Sequence, residues 1–346
     1  MRARSVAAAP VLVALLACTR PEPPPLRDRA PASALAPASA LAPASTLAPA
    51  SALALAPAPA SAPALTPGEA HRETVPTLDR LPSLRPHLTL LRDHFASTRG
   101  PFDVQSILLS DGRSAVLVSA AADTAPIALA IDRDQLAWSK PRPVAGILPP
   151  AEHLAIAPRP DGGVALFAWV DKLHLVAARM WADDGNPFGD FELFAPDACD
   201  WLSAAYGPGF GWIVVCASAA GSVGQRMRED SVVAWARQGL SIGARGAWGP
   251  VAIAFDGAST FVLVQRVAAV GGDRVVAMRY DADGDALWPA PSMVGAEGVA
   301  RSASRLEAWT LRDDEVRVEL PRGVAGNPAA RAAEIDAAGA VRFVTK

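Results

Sequence analysis

The sequence predicts an all-β fold built from five repeats of four antiparallel strands. Three observations predict it. Short apolar runs flank glycine-rich turns in SILLSDGRSAVLVSA (106–120), HLAIAPRPDGGVALFAWV (153–170), WLSAAYGPGFGWIVVCA (201–217) and VAIAFDGASTFVLVQRV (251–267), each reading as a hairpin. A weaker copy is ARSASRLEAWTL (300–311), and the five turns, near residues 111, 161, 208, 256 and 304, recur about every 48 residues. A second hairpin follows within each period, starting at APIALAID, LHLVAARMWA, SVVAWA, RVVAMRYD or AARAAEID and turning through RDQ, DDG, RQG, ADG or AAG.

The rest of the chain frames this domain. Of 346 residues, 51% are hydrophobic, 6% are aromatic and 32 are proline, more proline than a globular chain of this length carries. The N-terminal MRARSVAAAPVLVALLAC has a positive segment at Arg2 and Arg4 and a short apolar run, Val11 to Leu16. That run is too short to span a bilayer, which takes about 20 residues, so residues 1–17 read as an export signal. Its last four residues, Leu15-Leu16-Ala17-Cys18, resemble the lipobox of bacterial lipoproteins, although Leu16 stands where a smaller residue is commoner. The resemblance implies cleavage before Cys18 and acylation of its thiol and amine, a membrane partner reached through a lipid anchor, and a place in the bacterial cell envelope. Thr19 is not the aspartate that marks inner-membrane retention in enteric bacteria, which favours the outer membrane.

Residues 18–67 form a spacer. PASALA repeats at 31–36 and 37–42, then decays through PASTLA and PASAL. A proline every six residues breaks any helix at a cost of about 3 kcal/mol each, and no aromatic residue is present to seed a core. The segment reads as disordered and partly polyproline II, with an extended reach of about 150 Å. Residues 68–103 form a partly ordered extension. Within it HLTLLRDHFA (87–96) puts Leu88, Leu91 and Phe95 on one helical face, and a strand through HLTLLR competes with that helix.

From residue 104 to 346, each period supplies four strands, the unit of a β-propeller blade. One such sheet cannot bury both faces alone, but a ring of sheets can. The region therefore resembles β-propeller repeat proteins, with about five blades; a pair of β-sandwiches is the alternative fold. No WD, kelch or Asp-box signature recurs.

YDADGDALW (280–288) places Asp281, Asp283 and Asp285 at alternate positions around a glycine. An EF-hand loop needs glycine at its sixth position and a bidentate acid at its twelfth. Counted from Asp281, those positions hold Ala286 and Ser292. The stretch reads as the second-hairpin turn of the fourth repeat, with a calcium site of the three aspartates as the alternative. Trp138, Trp248 and Trp288 near the fourth strands, and Trp169, Trp212 and Trp309 in the second, read as packing between blades. Trp181, beside Asp183 and Asp184 at a turn, is the candidate for an exposed ligand contact, such as a sugar ring.

Cys199 and Cys216 flank the first hairpin of the third repeat. A turn at Pro208-Gly209 leaves them about two residues out of register, which one bulge absorbs, so an exported chain is expected to join them in a disulfide. No GxSxG, HExxH, P-loop or GxGxxG motif is present, and no cofactor is expected. A net charge of −3 argues against nucleic acid as a partner. Two functions stay open: an envelope binding or scaffold module holding a protein or glycan, and an envelope hydrolase or lyase with its site at the propeller's centre. The lack of recurrent histidine or of acids at strand starts favours the first.

Overall fold

The computed structural model describes residues 70–345 apart from 81, 99, 121–123, 133–134, 139, 145–152, 257–258, 270–271, 298–305, 313–314, 320–323 and 326–329. The export signal, Cys18 and the spacer lie outside the described residues.

Sheet 1 contains β1 (Ala70–Val75), β2 (Phe102–Leu108), β3 (Ser114–Ala120), β4 (Ile127–Asp132), β5 (Gln135–Leu136) and β6 (Arg142–Pro143). Sheet 2 runs β7 (Leu154–Pro158), β8 (Val164–Val170), β9 (Leu175–Trp181) and β10 (Pro187–Phe194). Sheet 3 runs β11 (Trp201–Gly207), β12 (Gly211–Ser218), β13 (Gly221–Met227) and β14 (Leu240–Ile242). Sheet 4 has β15 (Ala247–Asp256), β16 (Thr260–Val267), β17 (Arg274–Asp281) and β18 (Ser292–Glu297). Sheet 5 has β19 (Glu307–Arg312), β20 (Glu315–Glu319), β22 (Ala330–Ile335) and β23 (Val341–Thr345). Between β20 and β22, β21 (Val324–Ala325) crosses back and pairs with the outer edge of β18. All the pairings are antiparallel between neighbours, and the first strands β2, β7, β11, β15 and β19 contact one another in turn on the inner side. The architecture is a β-propeller of five blades.

Burial follows strand periodicity. Alternate residues of each strand face opposite neighbours, so every sheet needs two apolar faces. Sheets 1 and 2 pack through Leu117, Ala130, Ile156 and Leu166; sheets 2 and 3 through Phe167, Met180, Trp212 and Val214. Sheets 3 and 4 meet through Ile213, Val215, Ile253 and Phe261; sheets 4 and 5 through Val264, Val275, Val316 and Val318. The remaining face of sheet 1 is covered by the N-terminal extension: α1 (Leu88–His94) and the turns before it place Leu78, Leu84, Leu91 and Phe95 against Val104, Val118 and Leu129. The helical reading of 87–96 therefore holds over the strand, because Leu91 and Phe95 share one face. On the remaining face of sheet 5, Arg317 and Arg342 both pair with Glu334.

Several expectations are corrected. The second hairpin of the third repeat starts at β13 (Gly221–Met227), not at SVVAWA (231–236), and β13 pairs with β14. The fifth first-hairpin turns between β19 and β20, not near residue 304: Glu307 pairs with Glu319 and Arg312 with Glu315. Asp313 and Asp314, good turn formers, sit in that gap. Trp309 accordingly belongs to a first strand, not a second. Trp248 likewise opens sheet 4, not the outer strand of sheet 3, because a register shift between Trp248 and Ala252 lets β15 run on from Ala247, opposite Val267. No helix among the described residues is long and apolar enough to cross a membrane.

Candidate binding cleft at the rim of sheet 2

The aspartate-rich turn is structural. The Asp281 backbone N–H donates to Asp285 O at 3.0 Å, and Asp281 Oδ1 accepts from the N–H groups of Asp283 and Asp285, both at 2.9 Å. The same capping recurs at Asp336, which accepts from Ala338 and Ala340. Gly284 sits at φ +88, in the left-handed region that glycine enters without penalty. Among the described residues no three His, Cys, Asp or Glu side chains gather as a metal set.

These turns also lock neighbouring blades together. Trp138 of sheet 1 donates its indole N–H to Asp183 O of sheet 2 at 3.1 Å. Trp235 of sheet 3 donates to Ala282 O of sheet 4 at 3.1 Å, and Trp288 of sheet 4 to Ala337 O of sheet 5 at 2.8 Å. Each acceptor lies two residues before a left-handed glycine, Gly185, Gly284 or Gly339, and the indole packs over that glycine. The glycine thus meets two demands, a positive φ and the close approach of a ring. At the equivalent turn of sheet 3 the left-handed position is Ser231, at φ 63. The expected packing role of the tryptophans is seen directly: Trp138, Trp169, Trp212 and Trp288 are buried.

Trp181 does not take the exposed position expected of it. It is 2% exposed, with its ring 5.9 Å from that of Trp138 in the seam between sheets 1 and 2. Its place in β9 decides this, since odd-numbered residues of β9 face sheet 1 and even ones face sheet 3.

Cys199 and Cys216 form a disulfide, with Cα atoms 5.1 Å apart. The ladder pairs Cys216 with Leu202, so Cys199 reaches it from the bend just before β11. Nearby, Tyr206 donates its hydroxyl to Glu229 Oε1 at 2.6 Å, and Gly209 N–H donates to the same oxygen at 2.8 Å. This ties the two hairpin turns of sheet 3 together. Burial, then the Glu229 carboxylate, push the Tyr206 hydroxyl well above its usual range.

At the inner side, β1 adds to β2 beyond the position that the first strand holds in the other sheets. Gln105 of β2 is committed there, donating to Leu154 O at 2.8 Å.

Among the described residues, an open charged surface lies at the outer rim of sheet 2. A cleft of about 660 Å³ separates the outer segment Lys140–Pro143 of sheet 1 from Arg179 and Trp181 of β9 and from Asp190 of β10. Pro141 and Pro143 fix their own φ and hold the segment extended. Lys140 and Arg142 both line the cleft. Arg142 donates to Asn186 Oδ1 at 3.0 Å, while its buried Nε–H has no acceptor among the described residues. Arg179 binds Asp190 through two bonds of 2.8 and 3.0 Å, and its guanidinium holds the Asp190 carboxyl below its usual range. The cleft thus carries three cations and one paired anion. On the other side of β10, a groove of about 480 Å³ is lined by Leu173, Phe194, Val233 and Trp235, with Glu192 and Arg237 at its rim. The sequence reading missed this rim. Its only signal was KPRP, two cations spaced by prolines.

No protein-family model matches the chain, and no curated protein matches it. Among solved structures, the chain is similar to a functionally unknown protein from Desulfotomaculum acetoxidans, with a TM-score of 0.40 and 14% identity, over 71% of this chain and 69% of that one. It is also similar to an exo-β-1,3-galactanase from Phanerochaete chrysosporium, with a TM-score of 0.36 and 11% identity, over 71% of this chain and 61% of the enzyme. At these identities the likeness concerns the arrangement of strands alone.

Proposed function

We propose that this protein is an envelope lipoprotein, anchored through Cys18, that presents its propeller as a binding or scaffold module. The observation that carries the reading is where the polar side chains go. The turn acids cap their own turns, the indoles bridge blades, and Tyr206 and Glu229 brace one sheet. Among the described residues, open, charged, concave surface lies beside β10 instead. Charged surface beside an apolar groove suits recognition of a partner. The LLAC sequence at 15–18 and the proline-rich spacer supply the anchor and the distance from the membrane. Two measurements test the proposal together. Metabolic labelling with a fatty acid marks the wild type and misses Cys18→Ala. Crosslinking in whole envelopes retrieves a partner that Lys140→Glu weakens. Equal labelling of both proteins ends the anchor, and a set of crosslinks indifferent to Lys140 ends the rim as the binding surface.

A further inference from the structure

Resting on the binding-module reading, we propose that β10 is a docking edge. An extended segment of a partner protein, with acidic and apolar side chains in alternation, adds to it as a further strand. Strand addition supplies main-chain hydrogen bonds for affinity, and pockets for alternate side chains supply specificity.

The outer edges of the five sheets differ. In sheet 1 the outer pieces β5 and β6 are two residues each, β14 in sheet 3 is three and β23 in sheet 5 is five. In sheet 4, β18 is already covered, with Ala296 opposite Ala325 and Glu297 opposite Val324. The molecule thus already uses strand addition at one outer edge. In sheet 2, β10 is eight residues long. Among the described residues, the hydrogen bond nearest its free edge is that of Ala195 N–H to Arg237 O at 2.9 Å, just past its end. Register shifts between Pro187 and Gly189 and between Glu192 and Phe194 interrupt the strand at both ends. A bulged edge carrying proline and acidic side chains resists open-ended stacking of strands. It leaves the short regular stretch 189–192, which suits one short partner strand.

The chemistry of that partner follows from the two sides of β10. Successive side chains of an added strand point to opposite sheet faces. On the side of sheet 1 they meet Lys140 and Arg142, whose buried Nε–H has no acceptor among the described residues. On the side of sheet 3 they meet the apolar groove, which Phe194 lines together with Leu173, 65% exposed. One set of partner side chains must therefore be acidic and the other apolar. An anion alone would use one side only and leave the groove empty.

The test uses the full-length protein and a panel of fluorescent heptapeptides. Glu or Asp occupies one set of alternate positions, and Val, Leu or Phe the other. Fluorescence anisotropy should find members that bind with Kd in the micromolar range, about 10 µM. Lys140→Glu on one side and Leu173→Asp on the other, both at exposed positions, should each weaken binding about tenfold. Methylating alternate peptide nitrogens in each of the two registers should abolish binding in one register, because the added strand loses its ladder donors. A peptide of the same composition with its acids in one block should not bind. The proposal is overturned if no alternating member binds below about 1 mM. It is equally overturned if the blocked peptide binds as well, or if methylation in both registers is silent, as for a purely ionic contact. Should the peptides fail while crosslinking in envelopes still retrieves a Lys140-dependent partner, strand addition falls and the binding-module reading stands.

Discussion

Gly185→Ala tests the account of how blades are locked together. Gly185 and Gly112 both follow an aspartate in a hairpin turn, and both have positive φ, +78 and +86. Replacing either with alanine puts a Cβ in the left-handed region, at about 1–2 kcal/mol. At Gly112 nothing lies within 4 Å of the new Cβ, so that strain is the whole cost. At Gly185 the Cβ would stand 2.6 Å from Trp138, whose ring is 1% exposed and held by its bond to Asp183 O. The ring cannot retreat without losing that bond or opening the seam, which adds about 1–3 kcal/mol of overpacking. Gly185→Ala should therefore cost about 2–5 kcal/mol in all. Urea unfolding followed by far-UV circular dichroism measures both variants. The same Gly185→Ala change in a Trp138→Leu background should fall back to the strain term alone, about 1–2 kcal/mol. The reasoning fails if Gly185→Ala and Gly112→Ala agree within about 0.5 kcal/mol, or if the excess persists without the tryptophan.

Two further outcomes are expected. The chain has two tyrosines; both have their hydroxyls pushed up, Tyr206 by burial and then Glu229, and Tyr280 by burial against a smaller opposing pull from Gly243 N–H. Their folded pKa values lie above the unfolded value of about 10, so their contribution to stability is full below that pH and is lost as pH rises through the folded values. Tyrosinate absorbance should accordingly stay flat through about pH 10 in the native protein and rise with unfolding; a native transition at the ordinary tyrosine value would contradict their burial. In sheet 4, Arg279 and Asp256 form an ion pair with side chains 11% and 4% exposed. Asp256→Ala leaves that guanidinium without its carboxylate, its bond to Ala337 O remaining, and should cost about 3–5 kcal/mol, with Asp256→Asn costing less because it keeps an acceptor; a loss below about 1 kcal/mol from the alanine variant would show the pair is not structural.

What the sequence alone determined is local. Strand alternation and turn chemistry act over a few residues, so the hairpins at 106–120, 153–170, 201–217 and 251–267 were legible, as was the turn nature of YDADGDALW; over 87–96 helix and strand competed, and packing against sheet 1 decided for the helix. Cys199 and Cys216 were legible as a pair because a single hairpin joins them. The fifth first-hairpin misled because ARSASRLEAWTL copies the earlier hairpins only weakly and offers no glycine turn, whereas β19 and β20 turn between Arg312 and Glu315. The tertiary structure decided everything that depends on which sheets face each other. Trp138 and the Asp183 carbonyl lie 45 residues apart, and no pattern within one repeat reveals that an indole from the preceding blade needs a glycine beneath it. Trp181 looked exposed beside two turn aspartates, but the pleat directs it into the seam with sheet 1. The rim of β10 is assembled from Lys140 and Arg142 of one sheet, Arg179 and Asp190 of the next, and Val233 and Trp235 of a third. The physical reason is common to all three: a strand's own residues set its alternation, but stacking of complete sheets sets what each face meets.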